Sequence, residues 1–179
     1  MMVLLKRYRV FLATFGLVLI LTLINRPLGL EALSITGFSL KEMLLVIPPV
    51  FILLGLLDVW VPRDTMIKYM GEGSGLKGIL LAFFIGSAAA GPLYGAFPVA
   101  GVFMKKGVKF SNILIFIGAW STTKIPMLLF ESTALGVKFA MTRLLIDIPG
   151  IILIAYATSK ALAPKEIRQI YENAETMIQ

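Results

Sequence analysis

The chain has 179 residues, of which 58% are hydrophobic and only 15% charged, and its formal net charge is +7. It contains no cysteine and no histidine, which excludes disulfides, thiolate nucleophiles, His-based hydrolytic triads and the usual zinc and haem sites. We therefore expect no cofactor and no metal. A soluble domain of this size could not bury so much apolar surface, so the sequence predicts an all-α, polytopic membrane protein. We expect no nucleic-acid partner, because the basic residues are clustered between apolar runs rather than on one basic face.

Five apolar runs occupy residues 10–25, 43–62, 78–104, 110–130 and 139–159. A spanning helix needs roughly 20 residues, so four of these runs predict one crossing each, the first being short. No small-residue cleavage site follows the first run, which therefore predicts a retained span and not a signal peptide. The third run would form a helix of about 40 Å, which exceeds a hydrocarbon core of about 30 Å.

The third run is interrupted by glycine and proline. Gly91 and Pro92 disfavour helix, and they are followed by Gly95 and Pro98. We therefore predict a re-entrant hairpin of two half-length helices, residues 78–90 and 93–104, with its apex at Gly91 and Pro92. The alternative is one long, tilted helix that is kinked at Pro92.

The distribution of lysine and arginine favours the hairpin. With a cytoplasmic N-terminus and a third run that returns, twelve basic residues lie on the cytoplasmic side and three outside. If the third run crossed the membrane completely, seven basic residues would lie on the cytoplasmic side and eight outside. Since cytoplasmic loops are enriched in basic residues, we predict a multi-pass protein of the inner or plasma membrane with both termini in the cytoplasm.

Four ionisable residues lie within the runs, and each needs a partner or water in the membrane. Asp58 lies near the inner end of its run, so we predict that it is at the membrane interface near Arg63. Lys124 and Asp147 share a level in the membrane, and Arg143 lies one turn from Asp147 on the same helix face. These charges predict either a staple between helices or a site for a charged solute, an ion or a proton.

A helix break around Lys124 favours the functional interpretation. Serine and threonine hydroxyls precede Lys124, and Pro126 frees the carbonyl of Thr122 four positions earlier. Transporters commonly place their substrates at such polar breaks. The candidate pathway comprises Gly91, Pro92, Tyr94, Gly95, Pro98, Ser121, Thr122, Thr123, Lys124, Pro126, Arg143 and Asp147.

Residues 1–163 are predicted to form one transmembrane unit and residues 164–179 a cytoplasmic tail. In the segment between the second and third runs, we predict a short surface helix that begins at Asp64 and stops at Gly71. In the tail, apolar residues recur at helical spacing, which allows either an amphipathic helix or a solvated segment. These positions are Ile167, Ile170, Tyr171, Ala174 and Ile178.

The motif G-S-A-A-A-G-P-L-Y-G-A-F-P-V-A, followed by K-K-G-V and a polar-centred helix with a proline, resembles the repeat unit of the predicted permeases that include the organoarsenical efflux transporters (ArsP-like). The resemblance covers about residues 40–160. Arsenical exporters of that family carry a motif similar to C-S-C-G-x-x-P at the hairpin. At the matching positions this chain keeps Gly95 and Pro98, and it has no cysteine. Thiolate binding of trivalent arsenic is therefore not expected.

The resemblance implies a permease. We do not expect an enzyme, because the sequence offers no apparent nucleophile–base pair. Family members look like two such units fused in one chain. For a chain of half that length, the resemblance therefore implies a parallel homodimer with the hairpins at its centre. Its implied partners are the lipid bilayer, a second copy of the chain and a small solute or ion. A channel-like pore and a non-transporting membrane subunit are the alternatives.

Overall fold

A computed structural model describes residues 8–89 and 91–177 of the chain. Every regular element in these ranges is helical, which confirms the predicted all-α class. The chain divides into two compact units, residues 1–49 and 50–179. The helices are α1 (Arg9–Ile24), α2 (Arg26–Trp60), α3 (Arg63–Met70), α4 (Gly75–Ala88), α5 (Ala96–Lys105), α6 (Phe110–Thr122), α7 (Ile125–Ala134), α8 (Val137–Ala161) and α9 (Pro164–Met177), with a 3-10 turn at Leu93–Gly95.

In the first unit, Asn25 separates α1 from α2. Its backbone is not helical, with φ −136° and ψ 88°, and its side-chain oxygen accepts a hydrogen bond from Leu28 N at 3.3 Å. Asn25 therefore acts as the N-cap of α2. The 16 residues of α1 cover the first apolar run and extend about 24 Å, which agrees with the short first helix expected from the sequence.

The second apolar run belongs to a much longer helix than predicted. α2 has 35 residues and begins at Arg26, because the segment before the run is rich in leucine and other good helix formers. Pro48 and Pro49 lie inside α2 and do not end it. The side chain of Asp58 lies outside the described part of the chain, so its interfacial position stays a prediction.

The third apolar run forms two short helices, with 14 residues in α4 and 10 in α5. Between them the backbone is extended at Ala89 and Pro92, and Gly91 has φ +100°. Only glycine adopts this value of φ readily, and Pro92 has no N–H to continue a helix. The break therefore lies at the predicted dipeptide, and the run is not one continuous helix.

The broken run ends close to where it starts, beside α3. α4 leaves from the turn that follows α3. After α5, Lys106 Nζ donates to Val61 O at 2.7 Å, just before α3, and Lys109 N donates to Met70 O at 2.9 Å, at the end of α3. α4 and α5 thus lead away from α3 and back to it.

α6 is the central helix of the second unit and packs against α4, α5 and α8. Its buried face includes Phe116, whose ring makes edge contacts with Phe103 of α5 and with Trp120, at centroid distances of 5.0 and 5.5 Å. Each aromatic pair contributes about 0.5–1.5 kcal/mol beyond its buried area. This cluster attaches the returning helix α5 to α6.

α4 and α6 run in the same direction. Gly78, near the start of α4, lies against Asn112, near the start of α6, and Gly86 lies against Ala119 close to the other ends. Asn112 is buried, and its amide donates to Met70 O at 2.8 Å. The parallel pair therefore begins at α3, and both helices end near the break at Gly91.

Two segments in the described ranges are long and apolar enough to cross a membrane, Phe110–Ala134 and Val137–Ala161, each of 25 residues. The first comprises α6 and α7, and the second is α8. α8 runs antiparallel to α6, since Gly118 of α6 packs against Ile151 and Thr122 against Arg143. The predicted total of four crossings stays a prediction.

The tail forms the amphipathic helix α9 and not a solvated segment. Ile167, Ile170, Tyr171 and Ala174 are half-buried, whereas the residues between them are exposed. Tyr171 donates from its hydroxyl to Val108 O at 2.6 Å. Burial, and then the nearby charge of Glu72, raise the pKa of Tyr171 to about 12, so its phenol stays protonated and remains a donor.

Candidate solute-binding site

The breaks in two apolar runs meet at the carbonyl of Gly91. This oxygen accepts hydrogen bonds from Lys124 Nζ at 2.8 Å and from Trp120 Nε1 at 3.3 Å. Lys124 is itself at a break, because its extended backbone separates α6 from α7. The hydroxyls of Ser87, in the last turn of α4, and Thr123, the C-cap of α6, also form a hydrogen bond, at 2.8 Å, so side chains join the two interruptions at two levels.

Local sequence accounts for the break between α6 and α7. Pro126 is at the start of α7, where a missing N–H costs nothing, but it cannot donate to Thr122 O as a continuous helix would require. Thr122 O instead accepts a hydrogen bond from Arg143 Nη2 at 2.9 Å. The hydroxyls of Thr122 and Thr123 donate to the carbonyls of Gly118 and Ala119, four residues earlier, so both side chains are held against the last turn of α6.

Arg143 is the centre of a charged cluster. Besides Thr122 O, its guanidinium donates to Glu131 Oε1 and lies 3.4 Å from Asp147 Oδ2, in the predicted i to i+4 pair. The side chains of Arg143, Glu131 and Asp147 are 25%, 9% and 24% exposed. One cation thus lies between two largely buried carboxylates and the negative end of the α6 dipole.

Asp147 is incompletely bonded within this cluster. Its Oδ2 is buried, and no described group makes a hydrogen bond to it, although Arg143 Nε is within ion-pair distance. A cavity of about 10 Å³ adjoins the cluster and is lined by Thr122, Thr123, Leu128, Glu131, Ala140, Arg143, Leu144 and Asp147. This volume is about that of one water probe, and the carboxylates and threonines in the lining offer hydrogen-bond partners for a water molecule.

Sequence reasoning missed Glu131, which is buried and pairs with Arg143 twelve positions later. The fourth apolar run was ended at Phe130, so the first carboxylate beyond it was not counted among the membrane charges. The glycine turn at Gly136 joins α7 and α8 as a helical hairpin. Glu131 lies five residues before Gly136 and Arg143 seven residues after it, and residues at similar distances from such a turn are brought close together, so this spacing was the available signal.

Lys124 and Asp147, which were predicted to share a level, belong to separate polar groups. Lys124 bonds to Gly91 O, whereas Asp147 lies beside Arg143. Among the described residues, no carboxylate lies within ion-pair distance of Lys124. Thr122 and Thr123 connect the two groups, because one bonds to Arg143 and the other to Ser87.

The remaining predicted residues lie around these groups. Tyr94 and Ser121 are exposed, and Gly95 is buried in the 3-10 turn. Pro98 and Pro126 are in the first turns of α5 and α7. These residues shape the two breaks, but within the described ranges no side-chain hydrogen bond or ion pair joins them to the polar groups described above.

Apolar segments of membrane-spanning length, exposed hydrophobic side chains along α8 and a buried charge cluster define a helical membrane protein. The chain belongs to the ArsP_1 family, described as a predicted permease, which matches residues 29–177. The match confirms the resemblance seen in the sequence and indicates a transporter of a small solute rather than an enzyme. Neither the curated proteins nor the solved structures contain a match.

Proposed function

We propose that this permease carries a small, negatively charged solute past the point where the two helix breaks meet. The observation that carries the proposal is the bonding of Lys124, whose charge faces the carbonyl dipole of Gly91 and no described carboxylate. An anionic solute would offer this amine a stronger, charge-assisted hydrogen bond. Breaks in transporter helices expose backbone groups for the same purpose.

The hairpin of α4 and α5 enters the membrane and returns to the same side. Helices of 14 and 10 residues extend about 21 and 15 Å, less than a hydrocarbon core of about 30 Å. The return of the chain to α3 and the twelve-to-three distribution of basic residues support this arrangement. Both termini are then cytoplasmic.

Two copies of the chain associate in parallel, with their hairpins at the two-fold axis. Leu93, Tyr94 and Phe97 beside the break are 39%, 40% and 57% exposed in one chain. Backbone without regular helix is not tolerated against lipid, so another protein surface has to cover this segment. A second copy supplies that surface, and the solute path is completed at the interface.

Single cysteines test the hairpin, because the chain has no native cysteine. Lys77 and Lys105 flank the hairpin and Lys138 follows the turn between α7 and α8, and all three are exposed. An impermeant maleimide should label Lys77→Cys and Lys105→Cys only from the cytoplasm and Lys138→Cys only from outside. Labelling of Lys77→Cys and Lys105→Cys from opposite sides would disprove the hairpin.

The same cysteine panel tests the dimer. A Phe97→Cys variant in membranes should form a cross-linked dimer with a short bifunctional maleimide, whereas Lys138→Cys should not. Equal cross-linking of both variants would indicate random collision, and no cross-linking of Phe97→Cys would contradict a hairpin at the two-fold axis.

Replacing Lys124 by methionine should strongly reduce transport but leave the protein folded. Proteoliposomes are assayed for uptake of labelled acetate, phosphate and sulfate, with glycerol as a neutral probe. We expect saturable uptake of at least one anion, and a loss of about tenfold or more in Lys124→Met, since a hydrogen bond to a charged group contributes about 1.5–3 kcal/mol.

The matched control is Lys138→Met, which removes an exposed lysine far along the chain from the breaks and should transport normally. Wild-type uptake that does not saturate would indicate a channel. If Lys124→Met transports like the wild-type protein, or if only glycerol enters, the anionic solute is ruled out; if no probe enters at all, the non-transporting subunit becomes the better description.

A further inference from the structure

We infer that the second unit binds the phosphodiester headgroup of an anionic phospholipid in a pocket beneath α9, at the end of the bundle opposite the helix breaks. The pocket has a volume of about 470 Å³, which is within the range of small-molecule sites. It lies between the start of α6 and the end of α8. Ser111, in its wall, is about 18 Å along α6 from the break at Thr123.

The pocket lies where a membrane surface meets the protein. α6 starts one candidate membrane span and α8 ends the other, and these two ends lie side by side because the helices are antiparallel. Tyr156 near the end of α8 is half exposed and lines the pocket. Tyrosine and lysine at the end of a spanning helix are the residues that contact lipid headgroups.

The chemistry of the pocket suits an amphipathic anion. Lys109 and Lys160 lie in its wall, and Lys109 is paired with the exposed Glu72 at 2.9 Å, so the lining keeps a net positive charge. The rest of the lining is mainly apolar and includes Phe110 and Ile167. A small inorganic anion would leave that apolar surface uncovered, whereas the glycerol backbone and first acyl carbons of a lipid would contact it.

A buried hydroxyl provides a second, independent indication. Ser111 is 2% exposed and lines the pocket, and its Oγ has no hydrogen-bond partner among the described residues. It is the second residue of α6, where free backbone N–H groups and the helix dipole favour a negative charge. A phosphate oxygen would accept the hydrogen bond that this hydroxyl lacks.

The experiment is a titration of the purified full-length protein with phosphatidylglycerol or phosphatidylcholine, followed by native mass spectrometry. Phosphatidylglycerol should bind more tightly than phosphatidylcholine. Lys160→Gln should weaken phosphatidylglycerol binding about fivefold, since a basic residue at a membrane surface contributes about that factor. Ser111→Ala should also weaken it, and phosphatidylcholine binding should not change.

Lys138→Gln, at the other end of α8, is the matched control and should bind phosphatidylglycerol like the wild-type protein. Equal losses in Lys160→Gln and Lys138→Gln would show nonspecific attraction and overturn the inference. Competition by inorganic phosphate at the concentration of the lipid would assign the pocket to a soluble anion instead. Normal phosphatidylglycerol binding by both Lys160→Gln and Ser111→Ala would place the lipid elsewhere.

Discussion

Replacing Gly86 by leucine should separate α4 from α6 and lower the melting temperature by about 6–12 °C. A Cβ atom at this position would lie 2.5 Å from the carbonyl oxygen of Phe116 and 2.8 Å from Cβ of Ala119. The first contact is with helix backbone, which cannot move aside as a side chain can. Overpacking of this kind costs about 3 kcal/mol, and 1 kcal/mol corresponds to about 2–4 °C in a chain of this length.

The effect should extend to the candidate site, because Ser87 follows Gly86 and bonds to Thr123 at 2.8 Å. We therefore expect Gly86→Leu to lose transport as well as stability. Gly150→Leu on α8 is the matched control, since a Cβ there meets nothing within 4 Å. Thermal unfolding in detergent, followed by tryptophan fluorescence, measures both variants. Equal melting temperatures for the two variants would contradict the close contact between α4 and α6.

Replacing Arg143 by methionine should cost about 3–5 kcal/mol, the usual loss when one partner of a buried ion pair is removed. Glu131 and Asp147 would both lose their cation, and Thr122 O would lose its donor. Arg168→Met is a closely matched control. Arg168 and Glu172 are also i to i+4 partners at 3.4 Å, but both are exposed, so this variant should lose at most about 0.5 kcal/mol.

A triple variant separates a structural cluster from a functional one. Arg143→Met combined with Glu131→Leu and Asp147→Leu leaves no unpaired charge, and apolar replacement of a whole buried ion cluster is often neutral or stabilising. The triple variant should therefore melt near the wild-type temperature. Transport that recovers with stability would identify the cluster as a staple between α7 and α8, whereas a stable but inactive protein would place it on the solute path.

Those parts of the fold that depend on neighbouring residues were predictable from the sequence. Gly91 and Pro92 break the third run where expected, because their effects on the backbone are local. α3 starts at Arg63, one residue before the predicted Asp64, and ends at Met70 with Gly71 as its C-cap, as predicted. The apolar spacing of α9 matches its half-buried face, since a periodicity of 3.6 residues is itself a property of the helix.

Contacts between distant residues were not predictable, because no local pattern in the sequence fixes how helices pair. Lys124 reaches Gly91 across 33 positions, and Tyr171 reaches Val108 across 63. The sequence indicated the depth of Lys124 but not its partner, so it was grouped with Asp147. α2 was underestimated for another reason. Its first part is not continuously apolar, so a search for apolar runs does not include that part in the helix.

The parallel arrangement of α4 and α6 has a consequence for biogenesis. The carbonyls of Met70 and Gly91 accept hydrogen bonds from α6 or from the residues beside it, and the surface of α4 at Gly86 packs against α6. These partners are synthesised after α4. A nascent chain that ends before Lys109 therefore contains none of these partners. α4 and α5 are also too short to be inserted as independent spans. The second unit therefore packs in the reverse of the order of synthesis. α6 is made later, and it provides the surface against which the earlier helices α4 and α5 pack.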